Sequence, residues 1–316
     1  MNAPVSAPPV KVATMTPASD TEGVRVNVDV LHLDDIPGAM DHMGWTVSAQ
    51  MMRHWFSIKP AWGMPEGWRS GKYTTDATGL SEDIDYTQLP SIQINDSIIK
   101  MVWAMRYPQV KEAVDYLKQH WNSRVGVIEL REKLYRHGWK PGQSLTLGSK
   151  RMPAYQLDYL CQMNMRPLGS IWDTLDDFYG AIFKATLKVA VVGKAYRKLL
   201  GADRGKDFFR IDALGFYLRD TYDFNADWFE DGFMGLGVWS KERCLSKAEM
   251  AEYKLHSVSG PTSLIKRHLR FPHFVKVQNR DFRRWQKAHN SGGDFFVFSD
   301  VLWESYHGPD LEIPPA

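Results

Sequence analysis

Near residue 166 the spacing of apolar residues changes from three and four to two, and a chain carrying both periods has few architectures open to it. Before that point Val47, Met51 and Trp55, with Met52 and Phe56 beside them, predict a helix over 46–56. Val110, Val114, Leu117 and Trp121 make a stripe over 109–121, and Val127, Leu130 and Leu134 another over 125–137, with Gly138 as the stop. Asp96 is expected to cap a helix over 97–107 that Pro108 ends, and Asp35 a turn that begins at Ile36 and Pro37. Beyond residue 166, in AIFKATLKVAVVGKAY, Phe183, Ala185, Leu187, Val189 and Val191 alternate with Lys184, Thr186, Lys188, Ala190 and Val192, the pattern of a half-buried strand.

FFRIDALGFYLRDTYDF, GFMGLGVWS, HFVKVQ and DFFVFSDVLWESY have strand character too. Helices are expected over 246–255, where Ser246 and Glu249 form a capping box, and over 280–287. No regular strand–helix–strand alternation is present, which favours antiparallel pairing. The expectation is an α+β fold: a helical N-terminal half and an antiparallel β-rich C-terminal half with one or two inserted helices. It divides into a flexible tail at 1–23, a mainly helical region at 24–165 opening on an alternating strand at 24–33, and a β-rich region at 166–316; one continuous domain is the alternative. Between 59 and 89 a Gly- and Pro-rich stretch with Trp62, Trp68 and Tyr73 reads as a long loop.

Aromatic residues make up 13% of the chain, with 12 tryptophans, so a ring-rich core or contact surface is expected. A formal net charge of +2 is too mild to mark a nucleic-acid binder, which stays the disfavoured partner. Cys161 and Cys244 match no metal spacing and read as buried free thiols, with a disulfide the weaker alternative. The Ala-, Pro- and Ser-rich start contains no apolar core of the kind a secretory signal needs, and no uncharged apolar run reaches the roughly 18 residues of a membrane span. These features predict a protein made and folded in the cytoplasm, with any export by a route that needs no cleavable signal.

Acidic residues collect at the predicted strand ends. Asp220, Asp223, Asp294 and Asp300 are the candidate catalytic group, because paired carboxylates in unlike environments can divide acid and base roles. Glu304 lies close by in sequence, with His273 and His307 as candidate proton shuttles; capping and surface salt bridges are the plain alternative. Asp223, Asn225 and Asp227 occupy alternating ligand positions of a calcium loop, but Trp228 and Met234 stand where that loop needs glycine and glutamate, so no metal site is assigned. Gly292 and Gly293 read as a tight turn before a strand. The most basic stretch, 266–287, supplies Arg267, Arg270, Arg280, Arg283 and Arg284 as candidate partner- or anion-binding residues, interleaved with Phe271, Phe274, Phe282 and Trp285. A solvated helix face over an aromatic core is the plain reading of the same stretch. Phosphate-loop, dinucleotide, nucleophile-elbow and zinc-pair signatures are missing from the sequence, and no cofactor is assigned.

DIPGAMDHMGWTVSAQMMRHWF, SIIKMVWAMRY, TLDDFYGAIFKATLKVAVVGK, LRDTYDFNADWFEDGFMGLGVWS and NRDFRRWQKAHNSGGDFFVFSDV, in that order, resemble a bacterial domain-of-unknown-function family. The resemblance runs from about Asp34 to Val301. Such proteins look like neighbours of type VI secretion spike genes, which implies an effector or an accessory of that machine. It implies as partners a cognate immunity protein and secretion spike proteins, and delivery into target cells. The leading expectation is an antibacterial toxin, by hydrolysis or by a pore built from 183–194, and the alternative is a non-enzymatic adaptor or structural protein that binds the spike. The family brings no active site with it; only 219–225 and 292–300 stand out as motif-matching.

Overall fold

Two strands organise the molecule. In the computed structural model, which describes residues 30–74, 81–225, 236–258 and 261–315, β6 (Thr186–Arg197) and β7 (Asp207–Tyr222) pair antiparallel over their whole shared length. A bulge between Val192 and Gly193 brings Gly193 so close to β7 that any Cβ there would collide with the carbonyl of Arg210. The free edge of β7 takes three short strands in succession: β10 (Phe295–Phe298) on its end, β11 (Leu302–Ser305) on its middle and β12 (Leu311–Glu312) near its start. The outer edge of β6 takes β5 (Gln162–Pro167) and β4 (Leu145–Leu147), and β3 (Ile94–Asn95) closes the eight-stranded sheet on β10.

The fold is α+β, as the change of period implies. Among the described strands, pairing is antiparallel except between β3 and β10, which run parallel, so the expected antiparallel sheet is corrected at that pair; β8 (Val238–Trp239) and β9 (Val275–Lys276) form a separate antiparallel pair. Among the described residues, four helices lie beyond residue 166 rather than one or two: α7 (Asp177–Ile182), α8 (Lys247–Val258), α9 (Pro261–Arg270) and α10 (Asn279–His289). The Ser246–Glu249 box at α8 is present in both directions, Ser246 N–H to the Glu249 carboxylate at 2.8 Å and Glu249 N–H to Ser246 Oγ at 3.3 Å.

Ahead of the long hairpin lie α1 (Ile36–His42), α2 (Thr46–Ser57), α3 (Met101–Ala104), α4 (Pro108–His120), α5 (Arg124–Arg136) and α6 (Ala154–Cys161). The helix expected over 97–107 shrinks to α3. Asn95, not Asp96, accepts the N–H groups of Ser97 and Ile98 in a tight turn, and the helix starts only where Asp300 accepts the Met101 N–H at 2.5 Å. The alternating stretch at 24–33 lies outside the described residues up to 29, and Leu33 opens a 3-10 turn. Within 59–89 the chain forms 3-10 turns and a small antiparallel pair, β1 (Lys72–Thr74) with β2 (Ser81–Asp83). Trp62 and Trp68 pack inward from it, 6.4 Å apart, with Trp68 stacked on Phe296.

Strand β6 is buried on both faces, not one. Lys188 and its neighbours Leu187, Val189, Ala190, Val191 and Val192 are all at most 9% exposed, because α4 and α6 pack against the strand as well. Cys161 and Cys244 are free, buried thiols. The ring-rich core is centred on Trp55, which meets Phe56, Phe224, Phe282 and Trp285, while Phe224 and Phe282 stack face to face at 3.7 Å.

Candidate functional site

Asp294 enters β10 straight after a glycine turn, with Gly292 at φ +89° as the tight turn requires. Its carboxylate is fully buried. Arg283 of α10 grips it with both terminal nitrogens, at 3.0 Å and 2.5 Å. Trp55 Nε1 donates to Oδ1 at 3.0 Å and the Met64 N–H to Oδ2 at 2.8 Å. Four donors fill the four lone-pair directions of an ionised carboxylate, leaving none for a substrate proton. Arg283 also donates to Asn225 Oδ1 at 2.7 Å and to Gln286, while Gln286 donates to the carbonyls of Trp62 and Gly292. The group is a clasp joining α2, the 62–64 loop, the end of β7, α10 and β10.

Asp220 and Asp223 sit at the end of β7, and both feel the same neighbourhood. The Asp223 side chain is buried; its Oδ1 accepts the Asn225 N–H at 3.0 Å, and its Oδ2 lies 3.3 Å from Arg69 Nε. That second contact is a charge contact without a directed hydrogen bond, since Oδ2 has no partner of bonding geometry. Burial pushes the Asp223 carboxyl up, Arg69 opposes it, and the charge of Asp294 adds to the rise. Asp220 is pushed up to about 7, first by burial and further by Asp223, against the pull of Arg219 and Arg69. It is half-buried by exposure, so solvent softens that shift. Arg219 lies over Phe296 and donates to the carbonyls of Arg69 and Trp68, pinning the 3-10 turn of Glu66–Ser70 across the strand end.

The structure thus brings Asp220, Asp223 and Asp294 to one end of the sheet and leaves Asp300 out. Asp300 lies beyond the other end of β10, about 20 Å along the chain at strand rise, where it caps α3. Glu304 pairs with Lys118 at 2.8 Å. His273 and His307 are exposed, and neither is hydrogen-bonded to these carboxylates among the described residues.

The five arginines also divide. Arg283 faces inward. Arg267 lies over the Tyr253 ring at 5.2 Å and donates to Ser257, and Arg270 is 3.4 Å from Glu252. Arg280 and Arg284 are exposed on α10, Arg284 with Asp281 at 3.8 Å.

Sequence reasoning missed a second buried polar group. Lys188 of β6 pairs with Asp158 of α6 at 2.8 Å, and the Tyr217 hydroxyl of β7 donates to the same carboxylate at 2.7 Å. Burial opposes the Asp158 charge, but the Lys188 ammonium outweighs it and holds the carboxyl below its ordinary range. Lys133 donates to the Asp158 and Tyr159 carbonyls beside it. The one available signal was Lys188 itself, a lysine inside a run of apolar residues, which alternation assigns to the solvent face.

An open groove of about 920 Å³ lies elsewhere, lined by Asp34, Arg53, Phe56, Lys59, Trp285 and His289 among others, and contains none of the candidate carboxylates. Among the described residues, no three His, Cys, Asp or Glu side chains are grouped to hold a metal ion; Asp227 of the calcium-like stretch lies outside them. Nor is any helix among them long and apolar enough to cross a membrane.

No curated protein and no solved structure matches the chain. A family model does: the one described as a family of unknown function (DUF6402) matches residues 31–311, from just ahead of α1 to the start of β12. With almost the whole sheet and every described helix inside that match, the protein belongs to the DUF6402 family.

Proposed function

We propose that the protein works by binding a partner in a type VI secretion apparatus, as an adaptor or structural component on the spike, rather than by hydrolysis. The secretion context rests on the ordered strings that resemble a family of spike-gene neighbours. The observation that carries the binding reading is the state of Asp294: its two oxygens accept four hydrogen bonds, two of them from the terminal nitrogens of Arg283. Asp300 is held as a helix cap through one of its two carboxylate oxygens. A general base needs a free lone pair within reach of its substrate. Arg280 and Arg284 stand outward on α10, where a partner can meet them. The inward packing of Trp62 and Trp68 removes the aromatic loop from that contact surface.

One observation favours the toxin reading instead, with an immunity protein as its partner. Asp220, raised to about 7, is the carboxylate whose proton can come and go near neutral pH. The pore-forming variant finds no such support, since 186–194 is built into the middle of the sheet.

Expression in the cytoplasm and, separately, with an export signal decides between them, together with a pulldown from cells that carry the apparatus. Recovery of spike proteins, weakened by an Arg280→Glu/Arg284→Glu variant, with no growth defect in either compartment, is the expected result. A growth defect that Asp220→Asn abolishes while the folded signature is retained would overturn the adaptor in favour of an enzyme.

A further inference from the structure

His54 of α2 is half-buried beside the Asp294 clasp. Its ring meets Phe295 of β10 edge to face, with centroids 4.6 Å apart and planes at 84°. Nε2 is buried there and, among the described residues, has no hydrogen-bond partner. Both members of this contact are chain neighbours of the clasp. Trp55 follows His54, Asp294 precedes Phe295, and these two bond each other at 3.0 Å. The end of α2 is docked on the same glycine turn, because the carbonyls of Trp55 and Ile58 accept the N–H groups of Gly293 and Gly292 at 3.1 Å and 2.9 Å. A neutral imidazole tolerates this seat at the cost of one unmade bond. An imidazolium does not, since both of its nitrogens donate and Nε2 reaches neither an acceptor nor water.

We propose that His54 is an acid-sensitive latch on the joint between α2, β10 and α10. On taking up a proton its ring must leave Phe295 to be hydrated, and the adjoining Trp55–Asp294 bond and glycine turn loosen with it. The charged groups set against α2 by its neighbours are themselves engaged. Asp41 of α1 pairs with Arg53, Asp177 of α7 accepts the Val47 and Ser48 N–H groups, and Asp294 of β10 is gripped by Arg283 of α10. β7 brings Tyr222, stacked on Phe295, whose hydroxyl burial keeps protonated. Burial alone shifts His54, and it shifts it down from the ordinary 6.5. Its contribution to stability is therefore whole above 6.5 and is lost as pH falls through the lower folded value. Asp220 and Asp223, shifted upward, have the opposite sign and firm the fold as acid is added. Asp83, Asp158 and Glu249, held low, keep their contributions down to the ordinary carboxylate values of 3.8 and 4.5. The latch is independent of whether the protein is an adaptor or a toxin.

Hydrogen exchange by mass spectrometry on the full chain at about pH 7.5 and about pH 5.5, normalised for intrinsic exchange, tests the proposal alongside NMR titration of the histidine rings. Peptides from 46–58 and 279–298 should open about three- to tenfold more often at the lower pH. His54→Phe should abolish that acid effect and remove a ring signal that titrates below 6.5. His137→Phe should leave the effect unchanged. His137 also has a lowered pKa and an unpartnered, buried Nε2, but it packs on Tyr159 of α6, outside the clasp. The ring titration is read on the unaltered chain, so it decides even where a variant folds poorly. The proposal is overturned by equal protection at both pH values, by the same acid opening in His54→Phe, or by a His54 ring that titrates at or above 6.5. An equal loss of the effect in His137→Phe, or opening spread evenly over the whole chain, also overturns it, because a latch acts first on its own joint.

Discussion

The half-buried Arg283 meets the carboxylate of Asp294 where water does not reach that carboxylate, walled by Trp55 and backed by the Met64 N–H. Removing one partner of such a pair leaves the other charged and uncompensated, which costs more than the pair is worth. Arg283→Met should therefore lower the unfolding free energy by about 3–5 kcal/mol in chemical denaturation, the range for a broken buried pair. Asp220 makes a prediction of opposite sign. Its folded pKa, about 7, lies above the ordinary 3.8, so between those values the folded protein holds a proton that the unfolded chain releases. Stability from this group falls as pH rises through that window and stays low above it. Asp220→Asn should unfold later than the parent at pH 8, by roughly 1–2 kcal/mol after allowance for its partial exposure, and with no advantage below pH 4. The sequence marks both carboxylates as strand-end acids, but it does not say that one is clasped and the other is left to titrate. For Asp294, donors 11 and 239 residues away, Arg283 and Trp55, settle that.

Helix caps separate what is local from what is not. Ser246 and Glu249 lie three residues apart and are readable as a box. By contrast, the first turn of α2 is held by Asp177, whose carboxylate accepts the Val47 and Ser48 N–H groups from 130 and 129 residues away. Asp300 does the same for α3 across 199 residues. Strand β6 shows the other limit. Alternation identifies a strand correctly but implies a wet face, and helices packed on it make that face dry, so Lys188 must find Asp158. Lys188→Met should destabilise the protein by about 3–5 kcal/mol in thermal or urea melts. Adding Asp158→Leu should recover part of the loss, because the stranded carboxylate is then gone.

Across the whole molecule, the sheet draws on both halves of the chain. β3 and β4 precede residue 166 and β5 straddles it, yet they pair with β10 and β6. Fragments 24–165 and 166–316 made separately should show weak, non-cooperative melts by circular dichroism, since β6 would lose its outer edge and leave a long unpaired strand; co-expression should restore a single transition. The α+β class, the turn glycines, the capping box and most helix positions are legible in the residues alone, because each depends on dihedral preference or burial period within one or two turns of chain. The parallel β3–β10 pair, the second buried face of β6, the occupancy of Asp294 and the sealed Nε2 of His54 are not. Each of these depends on which distant segment arrives to exclude water or supply a charge, and a local pattern of apolar and polar residues carries no record of that neighbour.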